Sequence, residues 1–337
     1  MKRYERSALA LVGVLVTVLV AATVSRPPMQ ITASPKAILH LTATARPMEV
    51  PALLEPVHKD QRALGLQALV EKMSEAKART VYQSMRDFGY QLETVLSGEN
   101  AVPRLFLVSL PDDMAELREV KVKKALFIKM VLPLILQVNE EVLRDRRRFL
   151  TIRHAIQMGQ KIKAEDRLWL QVQSERYEVK RGDLDGLLSR MDVIPPSLAL
   201  AQAVEESGWG TSRFVREGNA LFGQYGISGK GTLMPSERAP NKRHFIQAYS
   251  SLIDSVRSYS VNLNSHRAYR KFRQLRAGLR LKGKPLSGKI LADTLTYYSA
   301  RGKAYVRTLH ILMTENNFMR LDELRLHPVK PDEGPMI

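Results

Sequence analysis

The stretch from Ile194 to Gln224 constrains this chain more than any other. It opens with Pro195 and Pro196, whose fixed φ and missing N–H suit the first turn of a helix. Ser197 is the expected N-cap. Leu198-Ala199-Leu200-Ala201-Gln202-Ala203-Val204 follows, and Gly208 supplies a natural stop. The result is a short helix, small and apolar on nearly every side, that closes on Glu205 and Glu206. Two glutamates ending a helix are commonly a solvated surface feature. Here the last-turn carbonyls disfavour negative charge and raise the carboxyl pKa. Trp209 and Phe222 would form an apolar wall acting in the same direction. A carboxyl that holds its proton near neutral pH is what a glycosidase uses to protonate a leaving-group oxygen. Glu205 is turned about 100° from Glu206 on a helix, so the two need not face the same side.

Charge and address narrow the class of partner. The 337 residues carry 52 Lys+Arg against 34 Asp+Glu, a formal charge of +18. With no recognition motif for DNA or RNA, an acidic polymer or an anionic membrane fits better than nucleic acid. Lys2, Arg3 and Arg6 precede an uncharged run from Ser7 to Ser25. That pattern predicts a signal anchor over 1–26, with the N-terminal end in the cytoplasm and the bulk of the chain exported. Val20-Ala21-Ala22 is a weak cleavage site, so a cleaved, periplasmic form is the second choice. Prolines 27, 28, 35, 47, 51 and 56 mark 27–60 as an extended linker. The chain has no cysteine, and its seven histidines are scattered without a His-Glu-x-x-His spacing. Disulfide, thiolate and zinc-hydrolase chemistry are therefore not expected, and no cofactor or metal is called for.

The remainder reads as mainly α. Helical periodicity over 61–190 predicts a helical region packed onto a catalytic unit at 191–321, with a tail over 322–337. Lys121 to Gly159 reads as one long helix with a kink or break near Pro133. Val102 to Val108 reads as a short strand or a packed loop. His244 to Tyr249 alternates like one strand of a hairpin, and further helices are expected over Ser251–Asn264, Ala268–Leu281, Gly288–Tyr298 and Lys303–Asn316. The basic run from Arg267 to Lys284, like Asp145-Arg146-Arg147-Arg148, reads mostly as solvated helix face.

The motifs then point to a family. Ala-Gln-Ala-x-x-Glu-Ser-Gly-Trp-Gly-x-Ser, followed by Asn-x-Leu-Phe-Gly, resembles the glucosaminidase domain of glycoside hydrolase family 73. So do Ala248-Tyr249-Ser250-Ser251, Leu263-Asn264-Ser265-His266-Arg267-Ala268-Tyr269 and Tyr298-Ser299-x-Arg301-Gly302-x-x-Tyr305, while Leu132 to Glu140 is similar to the Bax-type branch. The resemblance implies a lysozyme-like helical catalytic domain with a small β-hairpin lobe, acting on peptidoglycan glycan strands. It makes Glu206 the general acid, with Trp209, Asn219, Phe222 and Gly223 shaping the cleft and Tyr298 and Tyr305 near the acid. Glu237, the acidic residue of the expected hairpin lobe, is the candidate second carboxylate. Phe245 stands where such sequences carry a glutamate, and Gly226 and Gly231 stand where relatives carry cysteines. A 2-acetamido sugar can supply its own neighbouring-group oxygen in place of a nucleophile. The implied reaction is cleavage of the β-1,4 bond after N-acetylglucosamine. A lytic transglycosylase or muramidase on the same polymer, or a non-catalytic wall-binding protein, remains open on sequence alone.

Overall fold

The computed structural model describes residues 61–226, 232–233 and 245–328. The expected anchor, linker and C-terminal tail beyond 328 lie outside the described residues, as does Glu237. Among the described residues, no helix is long and apolar enough to cross a membrane.

The order along the chain is α1 (Gln61–Ser74), α2 (Ala78–Asp87), α3 (Leu92–Leu96), α4 (Val120–Gln157), α5 (Ala164–Arg176), α6 (Leu184–Arg190), α7 (Pro196–Ser207) and α8 (Arg213–Gly218). Then come β1 (Tyr225–Gly226), β2 (Thr232–Leu233), β3 (Phe245–Gln247), α9 (Leu252–Ser265), α10 (Arg270–Leu281), α11 (Gly288–Ala292) and α12 (Lys303–Glu315). A 3-10 turn over Phe318–Glu323 closes the chain. The architecture is mainly helical with one small sheet. In that sheet β3 is central and antiparallel to both neighbours, Tyr225 facing Ile246 and Leu233 facing Ile246 from the other side. It is three-stranded rather than a plain hairpin.

α7 is the hub. Residues Pro196 to Val204 are buried on all faces, and α4, α11, α12 and the 3-10 turn all pack on it. Its alanines let four elements approach closely, while Leu198 and Leu200, fully buried, contribute about 2 kcal/mol each by transfer from water. One hydrophobic core runs from Met73 to Leu326, so α1–α4 and α7–α12 share it.

Several expectations change. α4 runs unbroken through Pro133. The turns around it, Met130 to Leu136, are all buried, and their packing outweighs the roughly 3 kcal/mol cost of an interior proline. The helix expected over Gly288–Tyr298 stops at Ala292, where the Thr294 hydroxyl donates to the Leu291 carbonyl (2.7 Å) and turns follow. Of the two readings open for Val102 to Val108, the packed loop holds, with a single parallel bridge from Val102 to Leu326. Nor is the basic run simply solvated. Arg273 and Arg276 are buried, and Arg280 pairs with buried Asp192 at 2.9 Å. Arg146 donates to the Leu188 and Met191 carbonyls.

Ser197 is not the N-cap of α7. Pro195 holds that position, and the free N-terminal donor is satisfied from across the chain. Asp322 accepts from the Ser197 N–H (Oδ1, 2.9 Å) and hydroxyl (Oδ2, 2.9 Å). Its Oδ2 also accepts the Gly288 N–H at 2.9 Å. Burial pushes the Asp322 carboxyl up, against the pull of these donors. This clasp requires a glycine at 288, since a Cβ there would stand 2.0 Å from Ser197 Oγ and 2.8 Å from the Leu198 nitrogen. Gly288→Ala is therefore expected to destabilise by about 1–3 kcal/mol, read as a lowered urea midpoint at unchanged slope.

Candidate active site

Glu206 sits in the last turn of α7, one residue from its end and half-buried, with Gly208 closing the helix in the left-handed region at φ 58°. Burial raises the Glu206 carboxyl above its ordinary value. Glu205 raises it further, while the Tyr305 hydroxyl and Arg301 pull it down. The helix polarity invoked from sequence acts in the same direction as burial. Gly223, at φ 57°, lies against this carboxyl, and a Cβ there would stand 3.7 Å from Glu206 Oε2.

Tyr305 comes from α12 and is buried. It hydrogen-bonds Glu206 and accepts from Gln202 Nε2 at 3.0 Å. Gln202 Oε1 in turn accepts from the Tyr259 hydroxyl at 2.8 Å. The ring of Tyr259 stacks on Phe222 with centroids 3.8 Å apart, and that of Tyr298 stacks on Tyr305 at 5.4 Å. The Tyr298 hydroxyl donates to the Phe222 carbonyl (3.4 Å), and Tyr269 tilts against Tyr298 at 5.9 Å. Burial, with the Glu206 charge adding to it, holds the hydroxyls of Tyr259, Tyr269, Tyr298 and Tyr305 above the ordinary tyrosine range. All four are therefore neutral donors at neutral pH. Glu205 faces elsewhere and is ion-paired with Arg301, which also reaches the Thr308 hydroxyl at 2.7 Å.

Of the residues singled out by sequence, Glu206, Phe222, Gly223, Tyr298 and Tyr305 come together here. Trp209 does not join them. Its ring meets Phe127 at 5.9 Å and Phe318 at 6.4 Å, edge to face, with the Lys124 ammonium 4.8 Å above it. Those partners make it a clamp between the end of α7, helix α4 and the C-terminal turn. Asn219 takes the left-handed C-cap of α8 at φ 52° and donates to the Tyr249 carbonyl (3.3 Å), which ties α8 to the segment after the sheet. Gln202, Tyr259, Tyr269 and Arg301 belong to the stretches that carry the resemblance but were given no role from sequence. Gln202 had a legible signal: it lies four residues before Glu206, on the same helix face, as the lone polar side chain among alanines and leucines. Among the described residues, no group of three or more His, Asp or Glu side chains gathers in a metal-binding arrangement.

A proton donor in a partly buried site, backed by an ordered hydroxyl and amide, suits general-acid cleavage of a glycosidic bond. The comparisons agree with that chemistry. A family model described as mannosyl-glycoprotein endo-beta-N-acetylglucosaminidase matches residues 185–318. Protein bax of Escherichia coli (strain K12) is 34% identical over 200 residues, covering 58% of this chain and 70% of that protein. The catalytic domain of the autolysin Auto from Listeria monocytogenes aligns with 51% of this chain and 97% of its own, at 21% identity and a TM-score of 0.31, too low to bear on the fold.

Proposed function

This chain belongs to the glucosaminidase family, and from that premise we propose that it is a peptidoglycan hydrolase, an endo-β-N-acetylglucosaminidase that cuts the β-1,4 bond after N-acetylglucosamine. As a family member it is a glycoside hydrolase. The observation that carries the general-acid chemistry is the Glu206 carboxyl itself, raised by burial and held by Tyr305, while the choice of bond follows from the family match over 185–318. Glu206 gives its proton to the leaving oxygen. The oxocarbenium centre is stabilised by Glu237 or by the substrate's own 2-acetamido oxygen. Glu205 is the wrong candidate for that role, because Arg301 already neutralises it. The catalytic unit is read as lysozyme-like in fold, and the charged start with its apolar run over 7–25 supports a single-pass inner-membrane anchor that leaves the enzyme in the periplasm.

Digestion of purified sacculi tests the reaction. The soluble fragments are expected to carry reducing N-acetylglucosamine ends. Fragments ending in 1,6-anhydro-muramic acid would instead identify a lytic transglycosylase, which also needs only one carboxylic acid.

A further inference from the structure

The hydrogen bonds behind Glu206 have a direction, and it follows from which atoms can donate. An amide oxygen only accepts, so the Tyr259 hydroxyl must give its proton to Gln202 Oε1 (2.8 Å). An amide nitrogen only donates, so Gln202 Nε2 gives a proton to the Tyr305 oxygen (3.0 Å). Tyr305 has one proton of its own, and with its oxygen already accepting from Gln202 that proton is left for the Glu206 carboxyl, its other hydrogen-bond partner. Gln202, Tyr259 and Tyr305 are all almost fully buried, so water does not compete for these positions.

We propose that Tyr259, Gln202 and Tyr305 form a one-way relay that keeps the acid proton of Glu206 on the carboxyl oxygen Tyr305 does not engage, the oxygen free to meet the glycosidic bond. Gln202 and Tyr259 are then positioning residues, acting on Glu206 through Tyr305. If Tyr305 were free to turn, protonated Glu206 would donate to it, and the proton would point into the protein rather than at substrate. The stacking of Tyr259 on Phe222 and of Tyr298 on Tyr305 fixes both phenol rings and so both ends of the relay. The other groups acting on Glu206 are Glu205 and Arg301, paired with each other, and Tyr269 and Tyr298, which stay neutral. None of these is altered by a change at 202 or 259.

The inference rests on Glu206 being the acid, and its test separates the two claims. Tyr259→Phe keeps the stacked ring and removes only the hydroxyl that orients Gln202. Gln202→Met keeps the length of the side chain and removes the whole link. In both variants Tyr305 becomes free to accept from protonated Glu206, which favours the protonated form. The proton affinity of Glu206, followed in the substrate-free protein by isotope-edited NMR of its carboxyl carbon, should rise by about half a unit or more. Turnover on sacculi should fall on the order of tenfold with KM unchanged. Tyr305→Phe should match Gln202→Met in turnover, because both abolish the directed donor. If the variants lose turnover while Glu206 titrates as in wild type, the residues are merely structural and the relay is wrong. Wild-type turnover in Tyr259→Phe and Gln202→Met would overturn it equally. Activity surviving in Glu206→Gln would sink the proposed reaction while leaving the titration result to judge the relay by itself.

Discussion

Glu206→Gln should lower turnover on peptidoglycan by on the order of a thousandfold, the usual scale for removing a general acid, while the protein stays folded. Glutamine matches the carboxyl in shape and still accepts from Tyr305, but it has no proton to transfer. The pH dependence follows from the raised carboxyl. The protonated form is the active one, so activity is held below the folded-state pKa of Glu206 and lost as pH rises through it. Because burial has moved that pKa upward, the alkaline limb of kcat/KM should stand above the ordinary glutamate range of about 4.3. In Glu206→Gln the limb should vanish from the small residual rate. A residual rate that keeps the limb would assign it to another group.

Arg276→Met should cost about 3–5 kcal/mol of stability, the scale for removing one member of a buried charged network, measured from the urea midpoint. Arg276 is fully buried. It donates to the carbonyls of Asp192 (3.1 Å), Val193 (3.0 Å), Ser189 (3.0 Å) and Arg190 (3.4 Å). These are the residues that end α6 and lead into α7. Asn264 Nδ2 adds a bond to the Asp192 carbonyl (2.8 Å), and Asn139 exchanges bonds with the Ile194 main chain at 2.8 and 3.2 Å. Burial pushes the Arg276 guanidinium down to about 10, so it stays charged at neutral pH. Burial by itself would raise Asp192, but Arg276, Arg280 and Arg146 hold it below its ordinary value. Methionine fills the space but removes the guanidinium's bonds to all four carbonyls, of which Asp192 keeps Asn264 and Arg190 keeps the Asp192 N–H (2.9 Å). The entry to α7 should loosen, so lost activity at temperatures where the variant remains folded is a further expected sign. A variant within 1 kcal/mol of wild type would mean that water or neighbouring arginines replace these bonds.

What could be read from sequence was local. Pro195, Pro196 and Gly208 bracket α7 because a proline start and a glycine stop are backbone effects that need no neighbour. Helix polarity gives a local reason for a proton to stay on Glu206, but it is the resemblance of the flanking motifs to the glucosaminidase family that singles it out as the acid. Where the sequence misled, partners came from far along the chain. Asp322 caps α7 from more than a hundred residues away, a role that local reading gave to Ser197. Arg276 looks like one more member of a solvated basic run until the carbonyls of 189–193 are placed around it. Trp209 sits beside the acid in sequence, yet its left-handed backbone, φ 59°, accompanies a ring that meets Phe127 and Phe318. Tyr259 and Gln202 met only through the packing of α9 on the core, and no spacing rule links them.

The central claim is that Glu206 holds the proton that cleavage uses, and the most direct measurement is the ionisation of Glu206 itself. Its carboxyl carbon is titrated by isotope-edited NMR in the unliganded wild-type protein and compared with the alkaline limb of kcat/KM, which reports the free enzyme. The two should coincide, above the usual carboxylate range. A Glu206 that titrates at an ordinary value, or one whose titration is displaced from the limb, would contradict the account.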